Sequence, residues 1–506
     1  MSGDQRLQAA FAEAEEFSEI ETFAVSSTEV NAGAHRLEGV FYGDAGYRAK
    51  RELLAAGFPS AVLSELAVVY WPGSSHSYED MKRTYVEHKE SGIPFLSTSD
   101  MLSARLDGED YVSRLLTSNL ADLVVQPGCI LISRSGTIGS TVIATEDFAD
   151  KYVSDDALRV TAKSSDSRGL LYTFLQSEAG QFLITRNKSG GVVEHIYEDD
   201  LNGLGIPVLP RNLRAELTRL IDDSCALRVK ANRLLDEAQE QVQRSCYLPD
   251  LDSIRPTNRL PCESDALLFA VSAIRRLGEG CGYGEVRLDA TYHDPLALAV
   301  ARRILQSKGG TTLGTLVQDV RNSSLRKRVY VEDADQGVPL VGGKQLTQWR
   351  PRAIKYLSKA MTRNLSEESV QNGWTVVSSG GTLGRCLYIH RNFEDWVFSQ
   401  DVMRIIPDST KVHPGFIYAF LASPYGQVQI AQRGYGSVIP RLREFQFESI
   451  AVPMPQDKGE AIHCKVVEAF NARADARQYE NEAFGLFNLA IDRGRPYVES
   501  EWGEEY

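Results

Sequence analysis

Long apolar runs are missing from this chain. No stretch approaches the roughly 18 uninterrupted apolar residues a membrane span requires, and the opening MSGDQRLQAAFAEAEEF is acidic and amphipathic, without the basic start and apolar run of a secretory signal. Paired cysteines are also missing. The seven, Cys129, Cys225, Cys246, Cys262, Cys281, Cys386 and Cys464, are odd in number and never spaced C-x-x-C, which excludes a disulfide framework and a cysteine zinc site. Scattered reduced thiols point to a cytoplasmic protein. Excess positive charge is absent too: the formal net charge is −13. That sum argues against broad phosphate binding, but a nucleic-acid footprint is a local patch that acidic residues elsewhere conceal. The 506 residues, 43% hydrophobic and 24% charged, have the balance of a globular protein and exceed one ordinary core.

Catalytic patterns are equally scarce. There is no G-x-x-x-x-G-K-[ST] phosphate loop, no N-P-P-Y or D-P-P-Y base-holding motif, no G-x-S-x-G and no H-E-x-x-H. Gly278 to Gly284, GEGCGYG, follows a helical pattern rather than a strand and reads as a helix cap and turn. Glu87-His88-Lys89 offers half of a metal-dependent nuclease site without a companion carboxylate and reads as a solvated turn. The eight histidines show no ligand spacing. The chain reads as a binder without catalytic residues or a metal site.

What the chain does have is a repeat. Gly128 to Gly139, GCILISRSGTIG, and Gly373 to Gly384, GWTVVSSGGTLG, share five identities in twelve positions at an offset of 245. The same offset relates Gly92-Ile93-Pro94 to Gly337-Val338-Pro339, Ser154 to Ser399, Asp156 to Asp401, and Pro210 to Pro455. LYTFLQSEAGQ (Leu171 to Gln181) matches IYAFLASPYGQ (Ile417 to Gln427) with a one-residue slip, and HRLEGVFY (His35 to Tyr42) resembles VRLDATYH (Val286 to His293). Six collinear matches make a duplicated module.

In each copy, apolar alternation around SGTIG or GGTLG reads as two strands joined by a tight glycine turn. An amphipathic helix follows (170–185 and 416–432), then a glycine loop, Ser189-Gly190-Gly191 or Gly434-Tyr435-Gly436, and a closing GIPVLP or IAVPMP. Residues 211–245 lack Pro and Gly, and Leu213, Leu217, Leu220, Ser224, Leu227, Ala231, Leu234 and Ala238 form a heptad seam. A second seam runs through Ala469, Ala472, Ala476, Tyr479, Ala483, Leu486 and Ala490. Its small residues allow close approach, so the two helices are expected to pack against each other antiparallel; the alternative is that each packs on its own module.

The expected organisation is an α+β chain: an acidic helical extension (1–30), a first module of mixed or antiparallel sheet (31–210), a central long helix (211–245), and a linker with a short helix at 266–277 (246–285). A second module (286–455), a C-terminal long helix (456–492) and an acidic tail (493–506) follow.

Two modules, each with a G-I-P or G-V-P strand start, a glycine turn, a Ser-x-Asp strand start, a Y-x-F-L helix and an I-P-V-L-P-like close before a long helix, resemble the specificity subunit of type I restriction-modification enzymes, over about Arg36 to Ile491. The resemblance implies two target-recognition domains reading double-stranded DNA and an antiparallel coiled coil between them. It implies no catalytic site here, and partners in two methyltransferase subunits and a restriction-translocase subunit, which hold the S-adenosylmethionine, ATP and Mg. Related two-subunit systems pair such a chain with a fused nuclease-methyltransferase. A protein-binding scaffold is the rival from another class, favoured by the acidic charge.

Candidate DNA contacts are basic and amide residues in polar, loop-like stretches, suited to phosphates and to guanine and adenine edges. In the second module these are Arg321, Arg326, Lys327, Arg328, Lys344, Gln345, Arg433, Arg441 and Arg443. In the first they are Lys82, Arg83, Ser97, Thr98, Arg134, Arg186 and Lys188. The modules differ outside the shared landmarks, so they are expected to read different half-sites.

Overall fold

The computed structural model describes residues 51–73, 83–86, 91–106, 108, 110–117, 120–186, 194–254, 259–260, 268–269, 287, 289–324, 327–436 and 438–506. The expected extension at 1–30, the opening RLEGVFY, the turn at 278–284, Glu87-His88-Lys89, and Lys82, Lys188 and Arg326 lie outside them, as does the side chain of Arg186; of the helix expected at 266–277 only Leu268–Phe269 are described, and they pair as a strand with Arg259–Leu260. No helix among the described residues is long and apolar enough to cross a membrane.

The chain divides into two compact units that do not follow the contiguous boundaries expected above. The first takes residues up to Thr98, Glu109–Asp222 and Glu480–Tyr506; the second takes Ser99–Gly108 and Asp223–Tyr479. Each long helix, Arg211–Ser245 and Glu460–Arg493, therefore gives one part to each unit.

Among the described residues of the first unit, ten strands make three sheets. These are β1 (Ser60–Val62), β2 (Ala67–Tyr70), β3 (Tyr85–Val86), β4 (Gly92–Leu96), β5 (Asp110–Ser113), β6 (Ile130–Ser133), β7 (Thr141–Ile143), β8 (Tyr152–Val153), β9 (Ala157–Ala162) and β10 (Gly205–Pro207). The sheet orders are β2-β9-β6-β7, β3-β5-β4-β8 and β1-β10, all antiparallel except for the β4–β8 pair. Every side chain of β6 is buried, as an apolar run covered on both faces requires.

The second unit opens on a small pair, β11 (Arg259–Leu260) with β12 (Leu268–Phe269), and then repeats all three sheets. Its strands are β13 (Thr311–Thr312), β14 (Val317–Arg321), β15 (Tyr330–Val331), β16 (Gly337–Val341), β17 (Lys355–Ser358), β18 (Thr375–Ser378), β19 (Cys386–Tyr388), β20 (Val397–Phe398), β21 (Val402–Pro407) and β22 (Ala451–Val452). They order as β14-β21-β18-β19, β15-β17-β16-β20 and β13-β22, again with one parallel pair, β16 with β20. Duplication in sequence is thus duplication of topology, strand for strand.

The glycine turns are repeated in detail. Gly139 and Gly384 have φ of +80° and +86°, a region costly for any residue with a Cβ. Their amides donate to the Ser133 and Ser378 carbonyls at 3.0 and 3.1 Å. The same serines' hydroxyls donate across the turn, Ser133 to Thr137 and Ser378 to the Thr382 carbonyl at 2.6 Å. Gln181 and Gln427, from the helix behind each turn, donate Nε2 to the carbonyls of Gly139 and Gly384, both at 2.9 Å. The two matched motifs of each copy therefore hold each other.

Within the second unit the helical segments run antiparallel. Lys230 meets Glu468 at 2.8 Å, Glu237 meets Lys465 at 2.5 Å, and Asn232 accepts from Arg473 at 2.8 Å, so residue numbers rise on one helix as they fall on the other. Of the expected seam, Leu213, Leu217, Leu220, Ser224, Ala231, Leu234, Ala238, Ala469, Ala472, Ala476, Ala483 and Ala490 are buried. Leu227, Tyr479 and Leu486 are only partly covered. Phe487, 1% exposed, is buried where the seam named Leu486. The helix turns 100° per residue, and the bulkier ring, which packs edge-on to Phe174 in the first unit (centroids 6.2 Å apart), faces inward. The acidic tail contains a helix, Arg495–Trp502, started by Gly494 and tied by the Arg495 amide to the Ala56 carbonyl at 2.8 Å.

The second unit also joins a loop to its own repeat counterpart. Ala104 donates its amide to Thr347 at 2.7 Å, and Trp349 donates to Leu102 at 2.8 Å. Because Leu102 corresponds to Thr347 and Ala104 to Trp349 in the register of 245, the two bonds are the same bond made reciprocally, as at a two-fold contact.

Candidate nucleic-acid interface

Four loops meet at one end of the second module. The Gly434–Arg443 loop closes as a short hairpin, Tyr435 and Arg441 exchanging backbone bonds at 3.0 and 2.8 Å. It is fastened to the glycine turn by the Gly381 amide donating to the Pro440 carbonyl at 3.0 Å and the Leu442 amide to Ser379 at 2.9 Å. The Ser379 amide reaches the Asp401 carbonyl at 2.8 Å, which brings in the start of β21. A Cβ on Gly380 would lie 2.8 Å from Asp401 Oδ1, so glycine permits this approach. The loop after β16 completes the set: a Cβ on Gly343 would stand 3.8 Å from the Ser378 Cβ.

Several candidate cations come together here. Lys344 and Lys327 are exposed. Arg328 donates to Gln400 Oε1 at 3.3 Å, Arg441 stands 3.9 Å from Asp401 Oδ1, and Arg443 donates Nε to the Tyr435 hydroxyl at 3.0 Å with its guanidinium over that ring. Arg321, at the end of β14, lies over Trp374 and donates to the Glu367 carbonyl at 3.3 Å. Gln400 and the side chain of Asp401 are solvent-exposed and hold weakly, so Arg328 and Arg441 are kept in place yet can exchange these partners for a stronger anion.

Two candidates are engaged within the module. Arg433 is buried at 9% exposure, and its guanidinium donates to Ser449 Oγ and O, Gln429 O and Gln432 Oε1, all within 3.0 Å. Burial pulls its pKa down to about 10. It braces its own module; a helix C-terminus concentrates free carbonyls that attract a cation inward. Gln345 likewise holds its own loop, Oε1 accepting from the Gly342 amide at 2.8 Å and Nε2 donating to the Arg352 carbonyl at 2.7 Å.

The first module builds the same end differently. Arg83 stands in the register of Arg328 and forms an ion pair with Asp155, the counterpart of Gln400, while lying 4.8 Å over the Phe95 ring. Arg134 pairs with Asp156 at 3.1 Å and sits 4.3 Å over Trp71 and 5.4 Å over Tyr197. Ser97 and Thr98, half-buried after β4, take the places of Gly342 and Gly343. Two carboxylates face this end where the second module has one, so less of the arginine charge is left over.

One repeated element escaped the motif comparison. Arg159 and Arg404, in one register, are 5% and 1% exposed, and each donates Nη2 to the strand before it, to Val153 at 3.0 Å and Phe398 at 3.1 Å. Burial lowers both pKa values, that of Arg159 to about 10. In the second module Glu368 closes on Arg404 at 3.2 Å, whereas Leu123 fills that place in the first. The sequence signal is a lone charged residue inside a largely apolar strand, in both copies.

Among the described residues no group of three or more His, Cys, Asp or Glu is placed to hold a metal ion.

Comparison with known proteins gives one family: residues 323–481 match the type I restriction modification DNA specificity domain. No curated protein sequence matches. Among solved structures, the S subunit of a type I restriction-modification system from M. genitalium is 12% identical, covering 86% of this chain and 96% of that one, with a TM-score of 0.31. The HsdS subunit from Thermoanaerobacter tengcongensis is 13% identical, with the same two coverages and a TM-score of 0.25. At these values the structural likenesses support no inference about individual residues or partners.

Proposed function

We propose that this chain, whose residues 323–481 match the type I restriction modification DNA specificity domain, is the sequence-reading subunit of a restriction-modification complex, with no chemistry of its own. The observation that carries this reading is the convergence of Arg328, Lys344 and the Arg441 and Arg443 pair from three loops onto one end of a module inside the matched stretch. Cations gathered from rigid strand ends suit phosphate positioning, and the loop residues between them suit base edges in a groove.

The first module repeats that scaffold with other side chains at the equivalent end. Two heads of one architecture and different surface read two different half-sites, so the target is a bipartite, asymmetric sequence with an unread gap. Methyltransferase and restriction subunits supply S-adenosylmethionine, ATP and Mg, and the near-repeat of each half offers one seat per methyltransferase.

The test is co-expression with a methyltransferase encoded beside this chain, followed by single-molecule mapping of methylated bases. A bipartite methylated motif is expected. Methylation independent of this chain, or methyl transfer by the chain alone, refutes the reading. Charge reversal by Lys344→Glu with Arg441→Glu is expected to reduce the slope of log affinity against log salt by about two, near one per lost phosphate contact. An unchanged slope removes this end of the module from the interface and returns the scaffold alternative.

A further inference from the structure

The hairpin at that end carries at its tip two adjacent β-branched apolar residues, Val438 and Ile439, 88% and 55% exposed. Single exposed apolar side chains are ordinary, but this pair is built outward. Gly436 turns the chain at φ +107°, and a Cβ there would meet the Ile439 carbonyl at 2.7 Å, so only glycine allows so tight a return. Below the tip, the Tyr435–Arg441 backbone pair and the Gly381 to Pro440 bond fix the hairpin to the glycine turn. The pair is held away from the module's own core by bonds that a loose loop lacks.

Its surroundings indicate what it meets. Arg441 and Arg443 follow within four residues, both exposed, and guanidiniums beside the tip suit the phosphates of a duplex. A small apolar tip flanked by cations is the combination that enters duplex DNA: the cations hold phosphates while the apolar side chain parts two stacked base pairs. The first module carries the same device in sequence. The Leu442 to Ser379 bond is matched by Ile196 to Arg134 at 3.2 Å, and this register sets Val192-Val193, directly after Gly190-Gly191, against Val438-Ile439. Those residues lie outside the described set, so the parallel rests on their sequence.

The geometry points to Val438 and Ile439 as a wedge inserted at a base step of the half-site read by the second module. This rests on the DNA-recognition reading above and adds to it a deformation step: affinity then depends on how readily the step unstacks, so bases the protein never touches by hydrogen bond contribute to specificity.

The experiment uses the full chain with its methyltransferase subunits and duplexes of the mapped site carrying 2-aminopurine singly at each position of this half-site. Wild type is expected to raise the fluorescence several-fold at one step. Val438→Ser with Ile439→Ser, on an exposed tip, is expected to abolish that rise and weaken target binding about 10- to 100-fold, with the salt slope unchanged because the cations remain. A double variant that binds within twofold of wild type and keeps the fluorescence signal overturns the wedge alone. So does one that keeps the signal but no longer co-purifies with the methyltransferase, which assigns the tip to a protein contact. Wild type that binds no duplex overturns the DNA reading and the wedge together.

Discussion

Lowering the pH is expected to loosen the second unit through one residue, His390. It is 5% exposed, packed against Phe393 and Phe470 at ring separations of 5.3 Å. Burial, reinforced by the guanidiniums of Arg477, Arg473 and Arg391, pushes its pKa from 6.5 down to about 3. The folded state therefore holds the ring neutral while the unfolded chain takes up a proton near pH 6.5. Stability from this residue is complete above pH 6.5 and is lost as the pH falls toward 3. The gap of about 3.5 pH units, at about 1.4 kcal/mol each, amounts to roughly 5 kcal/mol at the acid end and about 2 kcal/mol at pH 5. His390→Phe removes the titration; a volume-tolerant aromatic swap is expected to cost less than about 1.5 kcal/mol at pH 7.5. Urea unfolding at pH 7.5, 6 and 5, with hydrogen exchange of β18 and β21 amides to report this unit, measures the difference. The variant should gain about 2 kcal/mol on wild type between pH 7.5 and 5. Parallel pH profiles for the two proteins would refute the assignment.

Two further outcomes follow from buried geometry. Glu368→Gln leaves Arg404 with no compensating charge at 1% exposure and is expected to cost about 3–5 kcal/mol, most of it recovered by adding Arg404→Met; denaturant titration of the single and double variants decides this, and an additive double variant counts against it. Gly384→Ala combines a φ of +86° with a Cβ placed 2.5 Å from Gln427 Oε1, whereas Gly381, at φ +76°, has nothing within 4 Å. Calorimetry should find Gly384→Ala costing about 1–3 kcal/mol and more than Gly381→Ala, with equal losses showing that the helix contact is unimportant.

The α+β class, the repeat and most of the helical seam were legible because they follow from spacing: glycine turns, strand alternation and a heptad each leave a periodic trace. Leu486 was chosen over Phe487 by heptad counting, which cannot see a one-residue rotation that seats the larger ring. Arg433 and Gln345 looked like surface residues since charge and amide groups usually are; nothing local reveals that neighbouring carbonyls and amides absorb their donors and acceptors. The pairing of Arg83 with Asp155, and of Arg328 with Gln400, joins residues 72 apart and could be found only by laying one copy on the other. The same comparison would have exposed Arg159 and Arg404.

The division of both long helices between the units has a consequence for how the protein is made. The first unit includes Glu480–Tyr506, where Phe484 and Phe487 pack on Tyr172 and Phe174. Roughly 260 residues separate Asp222 from Glu480, so at ordinary elongation rates the first module waits about 13 to 50 s for its last apolar cover. During that interval Tyr172 and Phe174 lack the Phe484 and Phe487 rings, and a chaperone or a partner subunit has its best opportunity to engage them. The module synthesised first is the one completed last, and a stop codon hundreds of residues downstream is a mutation in it.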